Sequence, residues 1–368
     1  MKCPLNLSSP DLRSSTGANS EMDRSEREFA SLKIKRSSLL GYGAEVFTGL
    51  RPTGNLTIAN YLGALEPVIA LQERGLRPLV FVADLHAYTD NEPSTARQHT
   101  GEVIAACLAA GLDPTRTMLF TQSSIAGQVY DLTMLLTRHL TLSELARVPT
   151  IKDKIEDGGD PLSINLMLAM YPVMMASDIM LQRGRLIPTG QDQIPHLELT
   201  KRLARRFNER YGDILPLPEP VEHEPLRIRS LDGEGKMSKG RAKGAIFLSD
   251  SEDEIRSKIS RAKTAFAGEM NDNLKSLAQI GRSLAGDTEA GSRLESILDE
   301  HVRGAPVLGH FKRELAEVVV NFIKGFQERR SEALSTPGSI ESALEAGTAL
   351  AKRNADETLQ AVHTALGI

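Results

Sequence analysis

Hydrophobic and polar positions divide the chain at about residue 44. Before that point Ser, Arg, Glu and Asp dominate and large apolar side chains are few, so residues 1–44 are expected to form a disordered N-terminal extension. After it, two periods alternate. Val46 and Phe47 read as a buried strand and Gly49, Pro52, Thr53, Gly54 and Asn55 as a turn, while Ile58, Tyr61, Leu62 and Leu65 recur at helical spacing. Pro78 to Asp84 is a continuous apolar run, which suits a strand buried on both faces. A helix at about 94–110, a strand over Thr117–Thr121 and a helix at about 126–139 repeat the alternation. Leu166–Leu181 carries a helical apolar face, and a strand from Arg185 leads through a turn at Gly190 into an amphipathic helix at about 194–211. Beyond Phe247 strand patterns stop, and Glu252–Phe266, Met270–Leu284, Gly291–Arg303, Gly309–Arg330 and Ser339–Leu366 all read as helices. The pattern predicts an α/β fold: a Rossmann-like doubly wound parallel sheet over residues 45–245, then an α-helical domain over residues 246–368.

In such a sheet ligands bind beyond the carboxyl ends of the strands, and several polar residues fall there. The turn after Val46 and Phe47 offers backbone amides at a helix start, suited to phosphate, although neither GxGxxG nor GxxxxGK[ST] occurs in it; a plain packing turn has the same composition. His86 follows a strand end, where a binding role and a capping role are both open. Asp178 lies three and four residues after Met175 and Met174, on the apolar face of a stretch holding five methionines. A carboxylate on such a face needs a basic partner or a ligand donor, because a bare buried one costs several kcal/mol. Gly190, Gln191, Asp192 and Gln193 form a polar turn able to accept from ribose hydroxyls or an ammonium group. The glycine-rich segment Ile228–Gly244 carries five basic residues and has no helical or strand period. Lys236 and Lys239 in it could neutralise a leaving pyrophosphate, against the alternative of a solvated basic loop.

Charge and composition narrow the partners. A formal charge of -4 gives no global attraction to nucleic acid, so an RNA partner would need local basic faces. With only Cys3 and Cys107, the chain has neither a disulfide framework nor a cysteine metal site, and no metal ligand set is expected. The N-terminus lacks a signal-peptide core, and the longest apolar stretch is too short to span a bilayer; a cytoplasmic protein without membrane contact is expected.

Thr57-Ile-Ala-Asn60, preceded by Pro52-Thr-Gly54, resembles the HIGH signature of class I aminoacyl-tRNA synthetases in its tryptophanyl form, and Lys236-Met-Ser-Lys-Gly240 resembles KMSKS. YPVMMASD (171–178), PTGQDQIPHLELTKRLARRFNERYG (188–212) and FKRELAEVV (311–319) extend the similarity to the bacterial tryptophanyl-tRNA synthetases from about residue 45 onward. The resemblance implies activation of tryptophan by ATP, with Mg2+ bound through the phosphates, and transfer to the 3' end of tRNA(Trp) by a homodimer. It implies catalytic roles for Thr57, Asn60, Lys236 and Lys239. It places ATP on Arg51, Pro52, Thr53, Ala59, Asn60, Gly190, Gln191, Asp192, Ile228, Lys236, Met237, Ser238, Lys239 and Gly240. Tryptophan falls to Phe47, Gly49, His86, Met175, Asp178, Ile187 and Gln193, with Asp178 accepting the indole N–H. Tyrosyl-tRNA synthetases use an aspartate there too, but an apolar Phe47 stands where they usually carry tyrosine.

The chain departs from the pattern at Ala59, commonly glycine, at Gly240, commonly serine, and at Thr150-Ile151, often Gln-Phe. Asp232–Lys236 is shorter than usual, and the N-terminal extension has no counterpart in the compact bacterial enzymes. These changes suggest a divergent copy. The alternatives are tyrosyl specificity, or a regulatory paralogue without catalysis that keeps the fold.

Overall fold

The computed structural model describes residues 40–52, 54–89, 91–149, 151–152, 164–190, 193–222, 228–266 and 268–368. The first strand, β1 (Ala44–Leu50), lies at the centre of a sheet whose other strands are β2 (Pro78–Val82), β3 (Met118–Thr121), β4 (Gly184–Thr189) and β5 (Glu219–Glu222). Their order is β3-β2-β1-β4-β5 and every pair is parallel. The direction of winding therefore reverses between β1 and β4, and that switch leaves a crevice at their carboxyl ends. The expected doubly wound fold is present, with one strand added. Glu219-Pro-Val-Glu222 has two carboxylates and a proline, gives no strand signal in sequence, and is tolerated because β5 is an edge strand.

Helices cover both faces. Ile58–Asn60 and a π-helical segment Tyr61–Leu65 run into α1 (Glu66–Glu73), followed by α2 (Pro93–Ala110), α3 (Ala126–Thr137), α4 (Leu166–Leu181) and α5 (Ile194–Tyr211). The predicted helical run after Phe247 comprises α6 (Glu252–Arg261), α7 (Asp272–Ala285), α8 (Glu289–Val302), α9 (Leu308–Ser335) and α10 (Ser339–Leu366). Sheet and helices belong to one compact unit. Among the described residues no helix is long and apolar enough to cross a membrane. Cys107 is fully buried on α2, which pushes its thiol up to about 12 and keeps it protonated.

The last helix returns to the sheet. Gly347 of α10 lies against the backbone of Leu119 in β3, where an added Cβ would collide with main-chain atoms. Polar contacts fix the helix: Gln182 donates to the Ala351 carbonyl at 3.1 Å and Thr358 to the Leu181 carbonyl at 3.0 Å, both buried, and Arg183 pairs with the half-exposed Glu357 at 2.9 Å. Side-chain alanine normally stabilises a helix interior relative to glycine by about 1 kcal/mol. Gly101→Ala in α2, where the added methyl meets nothing within 4 Å, is expected to raise Tm. Gly347→Ala is expected to lower it, since overpacking costs about 1–3 kcal/mol; thermal unfolding of the two variants checks the opposite signs.

Candidate active site

The crevice at the β1–β4 switch opens into a cavity of about 510 Å3. Its floor is aromatic. The Phe47 and Phe81 rings stack at 5.0 Å, with Phe120 5.9 Å beyond Phe81. Gly49 makes this possible, because a Cβ there would stand 2.5 Å from the Phe81 ring. Met175, Ile179 and Ile187 add aliphatic walls, and Arg51, Thr89, His86, Tyr171, Gln193 and His196 supply the polar atoms. Tyr171 and His196 are joined side chain to side chain at 3.2 Å.

Asp178 lies behind this lining. It is 2% exposed, and it is held from two strand ends. His86, just past β2, meets Oδ2 through Nε2 at 3.0 Å; Gln122, just past β3, donates Nε2–H to Oδ1 at 2.8 Å and to Oδ2 at 2.9 Å. Gln122 Oε1 in turn accepts the backbone N–H of His86 at 3.3 Å, which closes the ring. With Asp178 ionised the carboxylate only accepts, and its bond to His86 then takes the Nε2–H tautomer of the imidazole. Burial raises the Asp178 carboxyl above the usual range, and the His86 and Gln122 bonds oppose that rise.

A second set of residues surrounds the turn after β1. Thr57 caps the helical turn: its Oγ1 accepts from Asn60 N at 3.3 Å, and Asn60 Oδ1 accepts from Thr57 N at 3.0 Å. Thr57 also bridges antiparallel to Phe247, with Ile58 N donating to the Ile246 carbonyl at 2.9 Å and Leu248 N to the Leu56 carbonyl at 2.8 Å. The first motif is thereby bonded to the segment that follows the lysine loop. Lys239 reaches back to the same turn and donates to the Gly54 carbonyl at 3.3 Å. Partial burial holds its ammonium down to about 8.

The model of the tRNA synthetases class I (W and Y) matches residues 43–324. The chain belongs to that family of class I synthetases. The tryptophan–tRNA ligase of Chlamydia caviae is 32% identical over 344 residues, covering 87% of this chain and 95% of its own. That of Listeria monocytogenes serovar 1/2a is 34% identical over 329 residues, covering 88% and 97%. Among solved structures, the Campylobacter jejuni tryptophanyl-tRNA synthetase complexed with ADP and tryptophan superimposes with a TM-score of 0.75 at 31% identity, covering 88% of this chain and all of that one.

Of the residues assigned to tryptophan by resemblance, Phe47, Gly49, His86, Met175, Ile187 and Gln193 line the one cavity, and Asp178 stands directly behind His86. Of those assigned to ATP, Arg51 lines the same cavity, Pro52 is buried, and Ala59 and Asn60 are half-buried on the helical turn. Gly190 accepts from Gln193 N at 2.9 Å. Ile228 and Met237 turn their side chains into the core shared with Ile58 and Ile246, so only their backbone is available to a nucleotide. Lys236, Ser238 and Gly240 are exposed. Thr53, Gln191, Asp192 and Thr150 lie outside the described residues; Ile151 is buried in the core. Gln122, absent from the sequence reading, is the missed residue of the site. Its signal is a polar side chain just beyond the carboxyl end of a strand, the same feature that marks His86.

Lys239 gives this synthetase a pH dependence with a definite sign. The resemblance puts this ammonium on the triphosphate, and its charge is lost as pH rises through about 8. The affinity for ATP, followed by calorimetry, is expected to fall above that pH by up to about tenfold per pH unit, and Lys239→Arg is expected to flatten the profile. A flat profile in the unmodified protein would contradict the assignment.

Proposed function

We propose that the chain activates tryptophan with ATP and charges tRNA(Trp). The observation that carries this reading is a buried carboxylate behind an apolar, aromatic-floored cavity. Indole is an apolar body with a single N–H donor, and Asp178 is the complementary acceptor. Phe47, in place of a second polar group, disfavours a phenol. The tryptophan–tRNA ligases that match 87–88% of the chain support the same choice over tyrosyl specificity or a paralogue without catalysis.

In the first step a tryptophan carboxylate oxygen attacks the α-phosphorus, the bond to the β-phosphate breaks, and pyrophosphate leaves. In the second the terminal ribose hydroxyl of tRNA attacks the acyl carbon and AMP departs. The protein's part is positioning and charge neutralisation. Gln193, in the cavity lining, faces the ammonium of tryptophan, and Arg51, in the same lining, meets the ATP phosphates. The backbone around Gly190, Ile228 and Met237 holds the nucleoside, and Lys236 and Lys239 take up the charge that grows on the pyrophosphate. Mg2+ enters on the ATP phosphates as part of the substrate. The helices after Phe247 contact the tRNA anticodon. A second copy of the chain covers Tyr130 and Met134, which stand 45% and 62% exposed four residues apart on α3.

Amino-acid-dependent exchange of labelled pyrophosphate into ATP, run with tryptophan and tyrosine side by side, tests the reading. Exchange with tryptophan alone is expected, and Asp178→Ala is expected to lose it by about a hundredfold or more. Exchange with tyrosine, or an unchanged Asp178→Ala variant, would overturn it.

A further inference from the structure

The segment from Ile228 to Met237 folds back on itself as a short antiparallel hairpin, although its sequence shows no strand period. Met237 N donates to the Ile228 carbonyl at 2.9 Å, Arg229 and Lys236 pair across an antiparallel bridge, and Ser230 N donates to the Gly235 carbonyl at 3.0 Å. The tip is turned by Gly233 and Gly235, at φ +80° and +76°, a region that suits glycine. The glycines therefore serve a defined turn rather than a slack loop.

Arg229 leaves this hairpin sideways. Its backbone N donates to Ser276 Oγ at 2.8 Å and its Nε to Asn273 Oδ1 at 2.9 Å, both on α7. Its Nη2 donates to the Gly233 carbonyl at the hairpin tip at 2.8 Å. One planar guanidinium thus joins the first turn of α7 to the tip, and the fork geometry fixes direction as well as distance. Close approach is permitted by Gly233, where a Cβ would stand 3.0 Å from Asn273 Nδ2. The Asp272 carboxylate lies 3.7 Å from Nη1, but with both side chains substantially exposed this charge pair adds little.

Lys236 is exposed, so what the fold fixes is the place where its flexible stem starts, and that backbone is paired opposite Arg229. We propose that Arg229 is a positioning residue: it ties the lysine hairpin to α7 and so fixes where Lys236 meets the triphosphate. The proposal rests on the functional reading above, since it gives Lys236 its phosphate.

The test uses the full-length protein and the variants Arg229→Ala, Arg229→Lys and Asn273→Ala. Hydrogen–deuterium exchange of the amides at 230–237 reads the tie itself, and tryptophan-dependent pyrophosphate exchange reads its consequence. Arg229→Ala is expected to speed amide exchange in the hairpin and to lower kcat by about ten- to a hundredfold, the scale of an ångström of misplacement. The KM for tryptophan is expected to change less than about twofold, since the cavity is untouched. Asn273→Ala is expected to act in the same direction, and Arg229→Lys to restore little, because an ammonium cannot make the fork. Unchanged protection and rate in Arg229→Ala would overturn the proposal. So would full rescue by Arg229→Lys, or a loss of tryptophan affinity in step with a fall in Tm. If the unmodified protein shows no tryptophan-dependent exchange, the functional reading fails; faster amide exchange in Arg229→Ala would still support the tie, and unaltered amide exchange would still refute it.

Discussion

A carboxylate without water needs partners, and the demands of Asp178 organise this site. Leaving one buried and unpaired costs several kcal/mol, so α4 can place Asp178 under the sheet edge only if donors converge there. They come from the ends of two different strands, His86 after β2 and Gln122 after β3. The ring of bonds fixes helix against sheet and also determines which face of His86 looks into the cavity. Removing any member strands the others, so the recognition site and the packing of α4 are held by the same interactions.

The nucleotide side is built on a different economy. Its motifs are held by two short backbone bridges, Thr57 with Phe247 and Arg229 with Lys236, and by the Lys239 ammonium on the Gly54 carbonyl. The Thr57 bridge lies on the core edge of the turn after β1, and Lys239 brings a cation to the same turn. A protein of net charge -4 can in this way present a local cationic surface to a triphosphate while its global field stays weakly negative. The apolar cavity and the turn after β1 meet at Arg51, which lines the cavity and donates to Thr89 Oγ1 at 3.2 Å.

The sheet and helices were legible where periodicity runs long enough to be counted. The unbroken Pro78–Val82 run and the amphipathic helices after Phe247 fall where their patterns put them, with ends displaced by a few residues. The edge strand Glu219–Glu222 was not legible, because an edge strand in partial contact with solvent needs no apolar alternation. The hairpin at 228–237 was hidden for another reason: its pairing is two residues deep, and its glycines read as flexibility. For the site, residue types at strand ends located His86, and an anomalous charge on an apolar face located Asp178. The partnership between Gln122 and Asp178 joins residues 56 positions apart and leaves no local trace. Ile228 and Met237 show the converse, since a motif match named them while their side chains serve the core.

In the proposed function the buried carboxylate accepts the indole N–H. The most direct measurement compares kcat/KM in pyrophosphate exchange for tryptophan and for its benzothiophene analogue, in which sulfur replaces the ring N–H. The unmodified protein is expected to favour tryptophan by about a hundredfold or more, and Asp178→Ala to bring the ratio close to one. Equal use of the two amino acids by the unmodified protein would contradict it.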